Sequence, residues 1–215
     1  MGAGPGAADR GEKARRFFEL PLSMRSRVLA LIAALALMPV YFFPLWHMTL
    51  YSNQFPDGLN VYIYSHKLEG GRPAGRDDLR EINTLNRYIG MRPLLESDFS
   101  EFLWLPLATG LFVILTLRTV VIGKMVGLVD NAVLFSYFGL FSLWSFYNRL
   151  HQYGHNLDPA AAVKVPPFMP PLAGWKQIAN FTVYSYPGAA SALLVLFFVL
   201  LAAAIWTSRK QLKPS

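Results

Sequence analysis

Four blocks of apolar residues, each long enough to cross a bilayer as a helix, limit this chain more than any other feature. They run from Arg27 to Trp46, Phe102 to Gly123, Leu128 to Tyr147 and Tyr186 to Trp206. A crossing takes roughly 20 residues of helix. Trp46, Trp104, Trp144 and Trp206 fall near block ends, as an interfacial aromatic belt requires. Hydrophobic residues make up 53% of the 215-residue chain and charged ones only 15%, where about 25% charged is usual for a soluble domain. The expectation is an integral membrane protein whose first partner is the lipid bilayer.

The charges set an orientation. Residues 1–27 hold six Arg and Lys, Lys124 lies between the second and third blocks, and the tail carries Arg209, Lys210 and Lys213. Segment 47–101 has six basic residues against eight acidic ones. By the positive-inside rule both termini are cytoplasmic and the two long connections, 47–101 and 148–185, face outward. In a bacterium this predicts a multi-pass inner-membrane protein with a periplasmic portion. The net charge of +7 is thereby assigned to membrane orientation, and nucleic acid is not expected as a partner. The first block is read as an uncleaved helix. The chain has no cysteine, which excludes disulfides, thiolate zinc sites and iron–sulfur clusters.

The expected organisation is a disordered basic N-terminus at 1–26 and spans at 27–46, 102–123, 128–147 and 186–206. Outer segments follow at 47–101 and 148–185, with a basic tail at 207–215. The fold class expected is all-α, four transmembrane helices with a small mixed extracytoplasmic module. In the first outer segment, "GLNVYIYSH" alternates like a strand and "EGGRPAG" is a turn. A helix is predicted from about Asp78 to Ile89, capped by Asp77 or Asp78, with Gly90 just past its end. Leu79, Ile82, Leu85 and Ile89 share one face of it, with Asn83 and Asn86 beside them. In the second, the third span overshoots through His151 toward His155, Asp158-Pro159 starts a short helix, and "VPPFMPP" is stiff and extended.

All four histidines, His47, His66, His151 and His155, fall in outer stretches, as do Met48, Met91 and Met169. His151 and His155 are spaced (i, i+4), so both imidazoles occupy one helix face and two-point ligation of a metal is open to them. Imidazole and thioether suit copper. The competing expectation is structural, with histidines near an interface bonding water, headgroups or a helix C-terminus. No Walker loop, GxSxG elbow or GxGxxG turn is present, so no enzyme is expected. Asp130, a lone acid near the hydrocarbon, is read as a helix cap.

The stretches "LREINTLNRYIGMRPL" (79–94), "YGHNLDPAAAVKVPPFMPPLAG" (153–174) and "FPLWHMTL" (43–50) resemble a family of small bacterial membrane proteins. Its members are often encoded beside the copper-handling accessory proteins of nitrous oxide reductase. The resemblance covers all four spans. It implies a role in periplasmic copper delivery or copper-enzyme assembly, with a copper chaperone or copper enzyme as partner. It carries over the positions His47, Asn83, Asn86, Met91, His155, Asn156, Asp158 and Pro159. The resemblance itself supplies no ligand; residue chemistry and spacing make His151, His155, His47, Met48 and Met91 the candidate metal ligands. Asn83, Asn86, Asn156, Asp158 and Pro159 are candidates for docking or structure. The alternative from another class is a non-catalytic structural subunit of a respiratory or transport complex.

Overall fold

The computed structural model describes residues 7–178 and 180–210. Among these, the helices are α1 (Ala7–Glu19), α2 (Met24–Leu37), α3 (Asp78–Tyr88), α4 (Glu101–Ile122), α5 (Met125–His155) and α6 (Ala189–Arg209). The strands are β1 (Trp46–Ser52), β2 (Phe55–Ile63), β3 (Leu68–Gly70), β4 (Gly174–Ile178) and β5 (Phe181–Pro187). They form one antiparallel sheet in the order β3-β2-β1-β5-β4. The all-α expectation is therefore wrong. Two of the strands lie where apolar blocks run straight into outer sequence, so hydropathy alone merges one end of each with the spans.

Backbone chemistry draws the boundary that hydropathy misses. The helix of the first block ends at Leu37 and gives way to a 3-10 turn over Met38–Tyr41 containing Pro39. After Pro44 the chain is extended, and Trp46 opens β1. Pro39 has no backbone N–H with which to continue the helical ladder, and the helix tightens into the 3-10 turn at that point. At the other end Tyr186 belongs to β5, and Gly188 donates its N–H to Leu45 O before α6 begins. Among the described residues, four helical stretches are long and apolar enough to cross a membrane: Met24–Tyr41, Glu101–Ile122, Met125–His155 and Ala189–Arg209.

The chain divides into two compact units. The first is drawn from Met1–Met38, Ala108–Phe138 and Leu193–Ser215. Here Ser26 Oγ donates to Ala204 O at 2.8 Å and lies 2.6 Å from Thr207 Oγ1, while Ser208 Oγ donates to Ser26 Oγ at 2.7 Å. In an apolar surrounding such hydroxyls bond helix to helix because no water competes. Phe112, Phe135 and Phe197 fill the interior with tilted and edge-on ring contacts. Asn131 Nδ2 donates to Thr119 Oγ1 at 3.1 Å, joining α5 to α4. Asp130 is exposed on the second turn of α5 and does not cap the helix, contrary to expectation. The leader expected to be disordered carries α1, which Glu12–Arg16 and Arg15–Glu19 pairs at (i, i+4) support. Residues 1–6 and 211–215 lie outside the described residues.

The second unit is drawn from Pro39–Leu107 and Gly139–Ala192 and contains the whole sheet together with α3. Leu59, Val61, Leu68 and Ile82 form its buried core, with Leu50, Ile63, Leu79 and Leu85 packed against them. Fully burying a side chain such as Leu59 or Ile82 contributes about 1.5–3 kcal/mol. Asp78 fastens α3 to β2: the carboxylate is fully buried, accepts the Asn60 N–H at 2.9 Å and pairs with Arg76 Nε at 2.8 Å. Asp77 is the cap, accepting the N–H groups of Leu79 and Arg80.

Candidate functional site

The two long stretches that carry the resemblance are far apart in sequence and stitched together in space. Asp158 N–H donates to Gly90 O at 2.8 Å, and Val163 N–H donates to Tyr88 O at 2.9 Å. Gly90 terminates α3 with φ +76°, a left-handed conformation that costs a residue with a Cβ. A Cβ there would also stand 2.7 Å from Asp158 O. Gly154, within the last two turns of α5, accepts the Phe168 N–H at 2.9 Å. A Cβ at Gly154 would collide with the Phe168 carbonyl. So Gly154, which at sequence level only weakens a helix, is the point where the Pro-rich segment folds back against α5. The helix expected after Asp158-Pro159 is absent. Asp158 Oδ1 instead accepts the Ala160 N–H at 2.8 Å in a turn.

The motif asparagines have distinct positions. Asn83 uses both ends of its amide on one residue, donating to Leu94 O at 3.2 Å and accepting Leu94 N–H at 2.7 Å. It therefore pins the chain that leaves α3. Asn86 is 3% exposed, and its Nδ2 is buried with no hydrogen-bond partner among the described residues. Asn156 is exposed at the end of α5, and its backbone N–H reaches Gln152 O. Pro159 is exposed beside the turn.

The candidate metal donors do not converge on one point. The rings of His151 and His155 lie face to face, centroids 3.7 Å apart and 11° from parallel. A ligating imidazole places the metal in its own ring plane, along a nitrogen lone pair. Two stacked rings aim those lone pairs side by side and not at one point. His155 Nδ1 is 3.0 Å from His151 O, so it donates to a carbonyl in the last turn of α5. His47 lies flat on Tyr62, ring centroids 4.6 Å apart, with Nε2 3.1 Å from Asn60 Oδ1 and 3.2 Å from Thr49 Oγ1. Its sequence neighbour Met48 points to the opposite sheet face, because side chains alternate along a strand. His66 sits 3.5 Å from Ser65 Oγ, and Met169 meets Lys176 Nζ through its carbonyl. Among the described residues no three His, Cys, Asp or Glu side chains group as metal ligands would. This arrangement does not fit a shared copper centre.

What the second unit does form is an apolar, partly open cavity of about 100 Å³. Met48, Val61 and Val183 line it from the sheet, Ile82 and Asn86 from α3, and Met91 from the chain beyond. Leu150 and Tyr153 close it from α5, with Phe168 and Pro170 from the Pro-rich segment. Met48 and Met91, proposed as donors from sequence, thus meet on one wall system that is hydrocarbon in character.

Four residues on this unit are not among the candidates drawn from the sequence. Glu101 Oε1 accepts Ser145 Oγ at 2.6 Å, and Glu101 Oε2 accepts Arg149 Nη2 at 3.1 Å. The Arg149 guanidinium also stands 5.3 Å from the Phe99 ring centre. Tyr153 OH is 3.5 Å from Asp98 Oδ2 and stacks on Phe99. The available signal was spacing: Ser145, Arg149 and Tyr153 recur every four residues, one polar stripe on α5 continuing past the apolar block. No protein-family model, curated protein or solved structure matches the chain.

Proposed function

We propose that the protein is a non-catalytic, multi-pass accessory protein of the bacterial inner membrane. Its α/β unit faces the periplasm and docks the protein that delivers copper to, or assembles, a copper enzyme. The observation that carries this reading is the backbone stitching of 79–94 to 153–174 through Gly90–Asp158 and Tyr88–Val163. It turns two separate stretches into one continuous surface, on which Tyr88 and Val163 are 57% and 47% exposed. The copper part rests on the resemblance of those same stretches. Docking is favoured over direct metal holding because the imidazoles pair with each other, with Tyr62 and with backbone or side-chain oxygens.

A photocrosslinking amino acid placed at Tyr88 or Val163 in native membranes tests it. The expected product joins this chain to a copper-binding periplasmic protein, while the isolated protein takes up no stoichiometric Cu(I) against a competing chelator. Crosslinks only to subunits of a complex without copper would replace this reading by the structural-subunit one. Stoichiometric Cu(I) binding abolished by His151→Ala and His155→Ala would replace docking by direct transfer.

A further inference from the structure

The cavity beside α3 holds a hydrogen-bond donor that nothing in the described protein satisfies. Asn86 lines it, is 97% buried, and leaves Nδ2 without a partner. A buried amide N–H normally finds an acceptor, because leaving it dry forfeits its hydration with no return. The other polar groups on the wall are engaged, Arg149 with Glu101 and Tyr153 with Asp98. A single water is a poor candidate for the missing acceptor, since a buried water needs about two to four polar partners. Here it would find one free donor amid hydrocarbon. The size is also informative: about 100 Å³ approaches an engineered apolar cavity of about 150 Å³ that takes up benzene. Met48 and Met91 on the wall are unbranched and adjust their shape to an occupant.

We propose that this cavity is a binding site for a ring-sized apolar molecule carrying one carbonyl oxygen, which accepts from Asn86 Nδ2. The apolar body fills the space among Ile82, Val61, Leu150 and Phe168, and the carbonyl supplies the acceptor the protein lacks. A membrane quinone headgroup and a water-borne aromatic carbonyl compound both present this chemistry. The buried faces of both stretches wall this site, while its occupant makes no use of the exposed surface on which docking is proposed.

The test uses the full-length protein in detergent, with acetophenone and its hydrocarbon isostere cumene as probes. Affinities are measured by ligand-observed NMR and corrected against empty micelles. Acetophenone binds the wild type about two- to tenfold more tightly than cumene, the contribution of one neutral hydrogen bond. In Asn86→Leu that preference disappears while the unfolding temperature holds or rises, since an unpaired amide has gone. Displacement of acetophenone by decylubiquinone assigns the site to a quinone. Acetophenone that decylubiquinone does not displace assigns it to a water-borne carbonyl compound. Equal affinity for the two probes in the wild type overturns the proposal, as does failure of acetophenone to bind. A preference that survives in Asn86→Leu overturns it as well.

Discussion

A single missing carbon at Gly154 lets two segments touch. The Phe168 N–H reaches Gly154 O at 2.9 Å, and the Phe168 carbonyl occupies the space where any other residue would carry its Cβ. The obstacle is backbone, which cannot swing aside as a side-chain tip can. Gly154→Ala is therefore expected to lower stability by about 1–3 kcal/mol, the range for forcing extra carbon into a packed site. The check is the thermal unfolding midpoint in detergent. Gly139, also on α5 but with open space around its Cβ position, is the control. Gly139→Ala is expected to hold or raise the midpoint, because alanine is the better helix former.

At the scale of elements, α5 is the informative one. Its 31 residues extend about 46 Å at about 1.5 Å per residue, against a hydrocarbon thickness of about 30 Å. The excess is tied down near its C-terminal end by Arg149, which meets Glu101 at the start of α4 with side chains only 23% and 12% exposed. Removing one partner of a shielded pair leaves the other charge stranded, whereas removing both leaves none. Arg149→Met alone is expected to cost about 3 kcal/mol, the low end for breaking a buried pair. The double variant with Glu101→Gln is expected to recover at least about 1 kcal/mol of the summed single losses. Unfolding midpoints of the four proteins in the cycle measure this, and strict additivity would mean that the contact contributes nothing. The same element-level logic explains β1: alternation along the strand sends His47 toward Tyr62 and Met48 into the cavity, so adjacent residues serve opposite faces.

For the whole molecule the decisive prediction is topological, and the absence of native cysteine makes it direct to test. The proposed orientation requires Ala162→Cys to react with a membrane-impermeant maleimide added to intact spheroplasts. Gly11→Cys is expected to react only after the membrane is permeabilised. Both positions carry exposed side chains or open space. Reversed labelling would place the α/β unit in the cytoplasm and end the periplasmic reading.

Much of the fold is legible locally. The four apolar stretches, the α3 helix with its Asp77 cap and its Gly90 stop, and the alternation that marks β2 each follow from a few neighbouring residues. β1 and β5 were hidden because only Trp46, Tyr186 and Pro187 of them fall inside the apolar blocks, and the rest are short apolar runs in outer sequence with no strand signal of their own. Their partners lie on the far side of the chain, and no local pattern names them. The candidate site divides in the same way. The (i, i+4) spacing of His151 and His155 was readable, but their stacking was not. Asn86 was visible as a motif residue, but its place on the wall of an apolar cavity was not.

What the chain determines by itself is whatever sums over adjacent residues: apolar length, charge bias, helix caps and the residues that stop them. Transfer from water to hydrocarbon is such a sum, so the membrane character needs no knowledge of the fold. Which side chains meet depends on strand pairing and helix rotation, and these are decided by packing between segments more than a hundred residues apart, as where β1 pairs with β5. Hydrogen-bond satisfaction is a property of that assembled environment, which is why only the tertiary structure reveals that Asn86 Nδ2 has no partner among the described residues.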